Sequence, residues 1–220
     1  MKYKAVIFDM DGTLVNSIYS LMYSVNNVLE KNGLNRINET QCRMFVGNGI
    51  RELVRKAAGI SGTDDEKLEL YYREMVEEYS TNWDYELYVY DGIIDLLNQL
   101  LQENMRLAVN TNKNEDIAKK ILEKYFPGYF SYLVGGRESV PKKPDPSGAL
   151  LIAEKLGVKP AECIYLGDSN VDITTAINAN MYPVGALWGF RSREELLGAG
   201  AAKVIEKPAE LIKIIKGQHE

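Results

Sequence analysis

From about residue 90 onward the chain alternates short apolar runs with longer amphipathic ones, and few folds accept that pattern. Strands are predicted at "MRLAVN" (105–110), "YLVGG" (132–136), "CIYLG" (163–167), "YPVGAL" (182–187) and "AKVI" (202–205). Helices are predicted near 91–103, 113–125, 146–156, 170–179, 193–198 and 208–216. Strands this apolar are buried on both faces, and the intervening helices supply the cover. The fold class is therefore α/β, a Rossmann-like parallel sheet with helices on both sides. Residues 3–10 read as one more buried strand of that sheet.

Between them the pattern changes. From Ser17 to Lys31, apolar residues fall at Ile18, Leu21, Met22, Val25, Val28 and Leu29, the spacing of one helical face, and Gly33 ends the helix. Further helices are expected at 38–45, 49–58, closed by Gly59, and 64–82, with acidic residues in the last one's first turn. No strand is expected from 15 to 85. The chain thus reads as an α/β domain, 1–14 with 86–220, interrupted by an all-helical insertion, 15–85.

Composition narrows the function classes. A net charge of −5, from 26 basic and 31 acidic residues, argues against nucleic acid or an anionic membrane as the partner. No apolar run approaches the roughly 18 residues of a membrane span, and "MKYKAVIF" leads straight into acidic residues, unlike a signal peptide. Cys42 and Cys163 are too few for a disulfide framework, so a reduced, cytoplasmic protein is expected. The single histidine, His219, lies in an expected frayed tail. Ser-His-Asp chemistry and His-ligated zinc are set aside. Acid–base work falls to carboxylates, Lys, Tyr or Cys.

Parallel α/β sheets bind ligands at the carboxyl ends of their strands. Four chemically charged stretches are expected there: "DMDGT" (9–13), "NTNKNE" (110–115), "KKPDP" (142–146) and "GDSNVD" (167–172). Asp9, Asp11, Asp168 and Asp172 form an acidic cluster whose repulsion calls for a cation, and carboxylates plus a substrate phosphate suit Mg²⁺. Thr111 and Asn112 read as the start of a helix, with Glu115 completing a capping box, and such a start seats phosphate. Lys143 adds a point charge. Gly12, Thr111, Asn112 and Lys143 are the expected phosphate contacts. With no usable histidine, a carboxylate is the available nucleophile.

"DMDGT", Thr111, "KKP" and "GDSNVD" resemble the four motifs of the haloacid dehalogenase superfamily, over nearly the whole chain. The helical insertion looks like that family's cap domain. "FVGNGIRELV" (45–54), "NTNKN" (110–114) and "LWGFRSREEL" (187–196) are similar to phosphoglycolate phosphatase-like members. The resemblance implies that Asp9 attacks phosphorus to form an aspartyl phosphate. It implies that Asp11 protonates the leaving oxygen and then activates water. Asp9, the carbonyl of Asp11 and Asp168 would hold Mg²⁺, with Asp172 in support, and Thr111 and Lys143 would bind phosphoryl oxygens. The expected substrate is a small phosphorylated metabolite, phosphoglycolate-like, hydrolysed without nucleic-acid or membrane partners. In the cap, Gly47, Asn48 and Gly49 begin a helix that could meet an anion, and Arg51 could pair with a carboxylate. Asn16, Asp91 and Asn110 depart from the usual family residues.

Plainer readings stand beside these. "DG" alone is a turn signal, Asp172 also suits a helix N-terminus, Lys142 and Lys143 could be a solvated loop, and Arg51 could be a surface charge. A phospho-receiver module would need neither the insertion nor Asp11. A sugar-phosphate mutase or a pyrophosphatase would use the same four motifs, whereas dehalogenases lack the second Asp of "DMD".

Overall fold

The computed structural model describes residues 2–61 and 65–217, so His219 and the expected helix start at residue 64 lie outside the described residues. Backbone contacts divide the chain into two units, Met1–Val15 with Val89–Glu220, and Asn16–Tyr88. The crossings fall at residues 15/16 and 88/89, against the expected 14/15 and 85/86. They coincide with two short strands absent from the sequence reading, β2 (Val15–Asn16) and β3 (Tyr88–Val89).

The first unit is built on β1 (Ala5–Phe8), β4 (Arg106–Asn114), β5 (Tyr132–Gly136), β6 (Cys163–Gly167), β7 (Tyr182–Ala186) and β8 (Lys203–Ile205). They form one parallel sheet in the order β5-β4-β1-β6-β7-β8. All four β1 side chains are fully buried. Ala5 and Ile7 join one cluster with Ala108, Cys163 and Tyr165, so the pleat sends Val6 and Phe8 to the opposite face. Helices cover the sheet: α5 (Ile93–Gln102), α6 (Glu115–Tyr125), α7 (Ser147–Leu156), α8 (Asn170–Asn178), α9 (Arg193–Gly198) and α10 (Glu210–Ile215). Burying one Ile or Leu in such a core contributes roughly 1.5–3 kcal/mol.

β4 departs most from expectation. The predicted strand stops at residue 110, but extended backbone continues to Asn114, and α6 begins only at Glu115. The cap is Asn114, whose side chain accepts from the amides of Asp116 and Ile117. Asn112 therefore caps nothing. Glu115 closes no capping box, and its carboxylate instead accepts from Gly135 N at 3.2 Å and from Arg137.

The second unit holds α1 (Ile18–Lys31), α2 (Glu39–Phe45), α3 (Ile50–Ala57) and α4 (Asp65–Asn82). α1 packs against α4, and the predicted apolar stripe supplies Ile18, Leu21, Val25, Val28 and Leu29 to the interior. Buried Asn26 is satisfied on both sides of its amide by Ile37 O (3.0 Å) and Ile37 N (2.8 Å), which pins the α1–α2 connection. Asn38 and Gln41 form the capping box of α2. Among the described residues no helix is long and apolar enough to cross a membrane.

Candidate active site

β4, β1 and β6 are neighbours in the sheet, so their carboxyl ends bring Thr111, Asp9 and Asp168 to one rim. Asp9 leaves β1 with its amide bonded to Leu166 O at 2.9 Å, which ties the ends of β1 and β6 together. One carboxylate oxygen each of Asp9, Asp168 and Asp172 lies within 4.8 Å of the other two, all three residues buried. Like charges this close are costly without a counter-charge.

Lys143 supplies part of it. Its ammonium lies 2.8 Å from Asp9 Oδ1 and 2.6 Å from Asp172 Oδ1, and it is buried while Lys142 is exposed. Burial works against its charge, but Asp172 and Asp9 outweigh that and hold its pKa well above the usual lysine range. Asn112 fixes the lysine from below: its side chain accepts from Lys143 N at 2.8 Å and donates to Lys143 O at 3.1 Å. Asn112 is thus a brace for Lys143, not a phosphate seat at a helix start. Tyr165 lies beneath, with its ring 5.9 Å from the ammonium and its hydroxyl donating to Asn110 O at 3.1 Å.

The carboxylates are not equivalent. Asp172 caps its own helix: its Oδ2 accepts from Ser169 N (3.1 Å) and Ser169 Oγ (2.6 Å), while Oδ1 goes to Lys143. Both its oxygens are engaged, so it contributes charge and orientation. Asp168 is held from the loop after β7, where Phe190 N donates to Oδ2 at 2.7 Å. Trp188 Nε1 bonds Thr13 O at 3.0 Å, tying the same loop to the β1 turn. Burial, then the charges of Asp172 and Asp9, push Asp168 well above the usual carboxylate range.

Asp9 is the least satisfied of the three. Its Oδ1 is buried and makes no well-aligned hydrogen bond among the described residues, although the Lys143 ammonium lies 2.8 Å away. Burial, then Asp172, push its pKa up to about 7, against the opposing pull of Lys143. A divalent cation would reverse that shift and complete the orphaned oxygen. Mg²⁺ takes one or two carboxylates and leaves its remaining positions to water and phosphate, a donor set that Asp9 and Asp168 fit.

Two glycines shape the cluster. A Cβ on Gly12 (φ 83°) would overlap the Asp168 carboxylate, and one on Gly189 would overlap both Asp168 and the Gly12 carbonyl. Gly12 is therefore there for space. Its amide already donates to Val15 O at 2.9 Å, so it is not the expected phosphate donor.

Asp11 stands apart, paired with a residue to which the sequence reading gave no role. Lys113 Nζ donates to Asp11 Oδ1 at 2.8 Å and Oδ2 at 3.2 Å, with side-chain exposures of 2% for the lysine and 16% for the aspartate. Thr111 is buried, and its Oγ accepts from Lys113 N at 3.2 Å, which leaves its own proton to donate. The signal for Lys113 was in the extended backbone. Residues 111 and 113 share one face of a strand but not one face of a helix start.

The insertion residues lie in the second unit. Gly49 (φ 87°) is the N-cap of α3, and Gly47 (φ 121°) and Asn48 precede it. Arg51, in the first turn, is paired with Glu69, and its guanidinium lies 5.9 Å from the Tyr72 ring centroid.

The chain is similar to known proteins over nearly its whole length. Residues 6–186 match the family model of the haloacid dehalogenase-like hydrolases. A phosphoglycolate phosphatase of Xanthomonas campestris pv. campestris (strain 8004) is 32% identical over 210 residues, 94% of each chain. Another, from Pseudomonas fluorescens (strain Pf0-1), is 31% identical over 97% of this chain and 79% of its own. The crystal structure of a predicted phosphoglycolate phosphatase from Haemophilus somnus 129pt superposes with a TM-score of 0.88 at 28% identity, over 98% of this chain and 99% of that one.

Proposed function

This chain belongs to the haloacid dehalogenase-like hydrolase family and is a phosphatase, and we propose that it hydrolyses a small carboxylated phosphomonoester of the phosphoglycolate type through an aspartyl phosphate on Asp9. The observation that carries this reading is the separation of two carboxylates into different electrostatic settings. Asp9 is buried beside Lys143 with an oxygen lacking a well-aligned hydrogen bond, while Asp11 is partly exposed and held by Lys113. A nucleophile and a general acid–base need that difference.

Asp9 attacks phosphorus, a P–O bond forms to its carboxylate, and the ester P–O bond breaks. Asp11 gives its proton to the leaving oxygen. It then takes a proton from the water that attacks the aspartyl phosphate, which releases phosphate and restores Asp9. Lys143 restrains Asp9 and neutralises charge on the phosphoryl oxygens, and the Thr111 hydroxyl donates to one of them. Asp9, Asp168 and the carbonyl of Asp11 would hold Mg²⁺, which supplies positive charge to the phosphoryl group. The names of the relatives support the substrate class.

The test is phosphate release from a panel of phosphomonoesters by the wild type and Asp9→Asn. The wild type should favour 2-phosphoglycolate, and the variant should lose at least about four powers of ten in kcat, because an amide does not attack phosphorus. A variant turning over within tenfold of wild type would remove Asp9 as nucleophile. A panel led by sugar phosphates or pyrophosphate would remove the substrate class.

A further inference from the structure

Tyr165 is fully buried, and no step of the mechanism uses it. It stands on β6 opposite Ile7 of β1, on the sheet face that also holds Ala108 of β4. β1 lies between β6 and β4, and two strand spacings make about 10 Å of sheet. The Tyr165 side chain crosses over β1 and gives its hydroxyl proton to Asn110 O at 3.1 Å. The carbonyl it meets belongs to the residue just before Thr111.

That stretch of β4 runs past its regular pairing. The ladder with β1 goes to Phe8 opposite Val109, and the ladder with β5 shifts register after Asn110. Beyond that point stand Thr111, whose hydroxyl faces the phosphoryl group, and Asn112, which clasps the main chain of Lys143. The rest of the site, Asp168 and Asp172, follows the end of β6. Lys143 spans the two parts by its contact with Asp172 at 2.6 Å, but through a flexible four-carbon stem. Tyr165 spans them with a flat ring that turns about only two side-chain torsions. The same ring has its centroid 5.9 Å from the Lys143 ammonium, within range of attraction to a ring face.

We propose that Tyr165 is a positioning residue for phosphoryl transfer, holding the end of β4, with Thr111 and the braced Lys143, in fixed register with the carboxylates that follow β6; this rests on the aspartyl-phosphate reading above. It touches no reacting atom. It acts because an in-line displacement needs its donors placed closely, and a shift of about 1 Å can cost a hundredfold in rate. Tyr165→Phe keeps the ring and removes only the hydroxyl that grips Asn110 O.

The experiment measures Kd for orthovanadate and for inorganic phosphate by calorimetry, in saturating Mg²⁺, for the wild type and Tyr165→Phe. Vanadate takes up the five-coordinate geometry of the transition state, whereas tetrahedral phosphate tolerates slack in its donors. The wild type should bind vanadate at least about a hundredfold more tightly than phosphate, as transition-state analogues do. In the variant that ratio should fall by tenfold or more, as expected when one hydrogen bond that sets the geometry is lost. A role confined to stability would lower the fitted number of sites, which counts folded molecules, and leave the ratio alone. A fall of less than tenfold therefore overturns the assignment. A wild type without the preference overturns the aspartyl-phosphate reading and this inference together. If far-UV circular dichroism shows Tyr165→Phe misfolded, Tyr165→Leu is measured against the same threshold.

Discussion

Lys143→Met tests the electrostatic account of the site most directly, because it removes charge while nearly keeping length. In the wild type one ammonium sits 2.8 Å from Asp9 and 2.6 Å from Asp172, with Asp168 in the same cluster. The variant buries three carboxylates with no organic cation among them. Removing one partner of a buried ion pair costs about 3–5 kcal/mol, or roughly 6–20 °C in Tm for a chain of this size. The loss should depend on pH. Burial and Asp172 already push Asp9 from 3.8 up to about 7 against the pull of Lys143, so removing the lysine pushes it higher still, and Asp168 lies well above the usual carboxylate range. An acid raised in this way destabilises the fold above its folded pKa, and the cost fades as pH falls toward the unfolded value. The deficit should therefore be largest near pH 8 and smaller by at least about 1 kcal/mol at pH 5.5. Urea denaturation in chelator measures it, with Trp83→Phe as background so that Trp188 reports on the unit carrying Lys143. A loss below about 1 kcal/mol at pH 8, or one equal at both pH values, would show that Lys143 does not neutralise the cluster.

Wild-type protein in chelator should itself gain stability as pH falls from 8 to about 6, since Asp9 and Asp168 take up protons that the unfolded chain does not. Millimolar Mg²⁺ at pH 8 should raise Tm and flatten that dependence; stability falling from pH 8 to 6 in chelator would contradict it. Gly189→Ala should push the loop after β7 away from Asp168 and weaken Mg²⁺ binding about tenfold by calorimetry, with roughly 1–3 kcal/mol lost in stability. An unchanged Kd would mean that the loop merely lies beside Asp168.

The fold was legible because its signals are local and redundant. β5 and β6 begin and end where their apolar runs do, since turn residues on both sides leave a buried strand no other register. The α1 stripe was equally clear, since six apolar positions at helical spacing exclude a strand. β4 was misjudged beyond residue 110 because "NTNKN" carries no hydrophobic periodicity. Asn is a common cap, and Asn112 with Glu115 three residues on matched a capping box. What selects Asn114 is tertiary: after a register shift beyond Asn110, β5 pairs with β4 again at Asn114 opposite Gly136, and this holds the chain in the sheet past the point where propensity would release it.

That one misjudged boundary also decided which site residues could be found. A helix beginning at Thr111 points Lys113 away from the rim, whereas extended backbone sets it on the same face as Thr111, against Asp11. The same alternation turns Asn112 to the other side, where it clasps both backbone polar groups of Lys143. Two consecutive residues thus hold the two lysines of the site in opposite ways, one by supplying the cation and one by bracing its backbone. Asp9, Asp11, Asp168 and Asp172 were visible in sequence because each sits one to five residues past a strand, where only the strand's end need be known. The loop after β7 also follows a strand end, but "LWGFRSREEL" was read there only as a resemblance and gave its residues no role. Trp188 and Phe190 act through an indole N–H and a main-chain N–H, and a backbone donor is the same in every residue but proline. Asp9 and Asp11 therefore differ through their partners rather than their side chains: one is given a buried lysine braced from behind, the other a buried lysine carried on the extended end of β4.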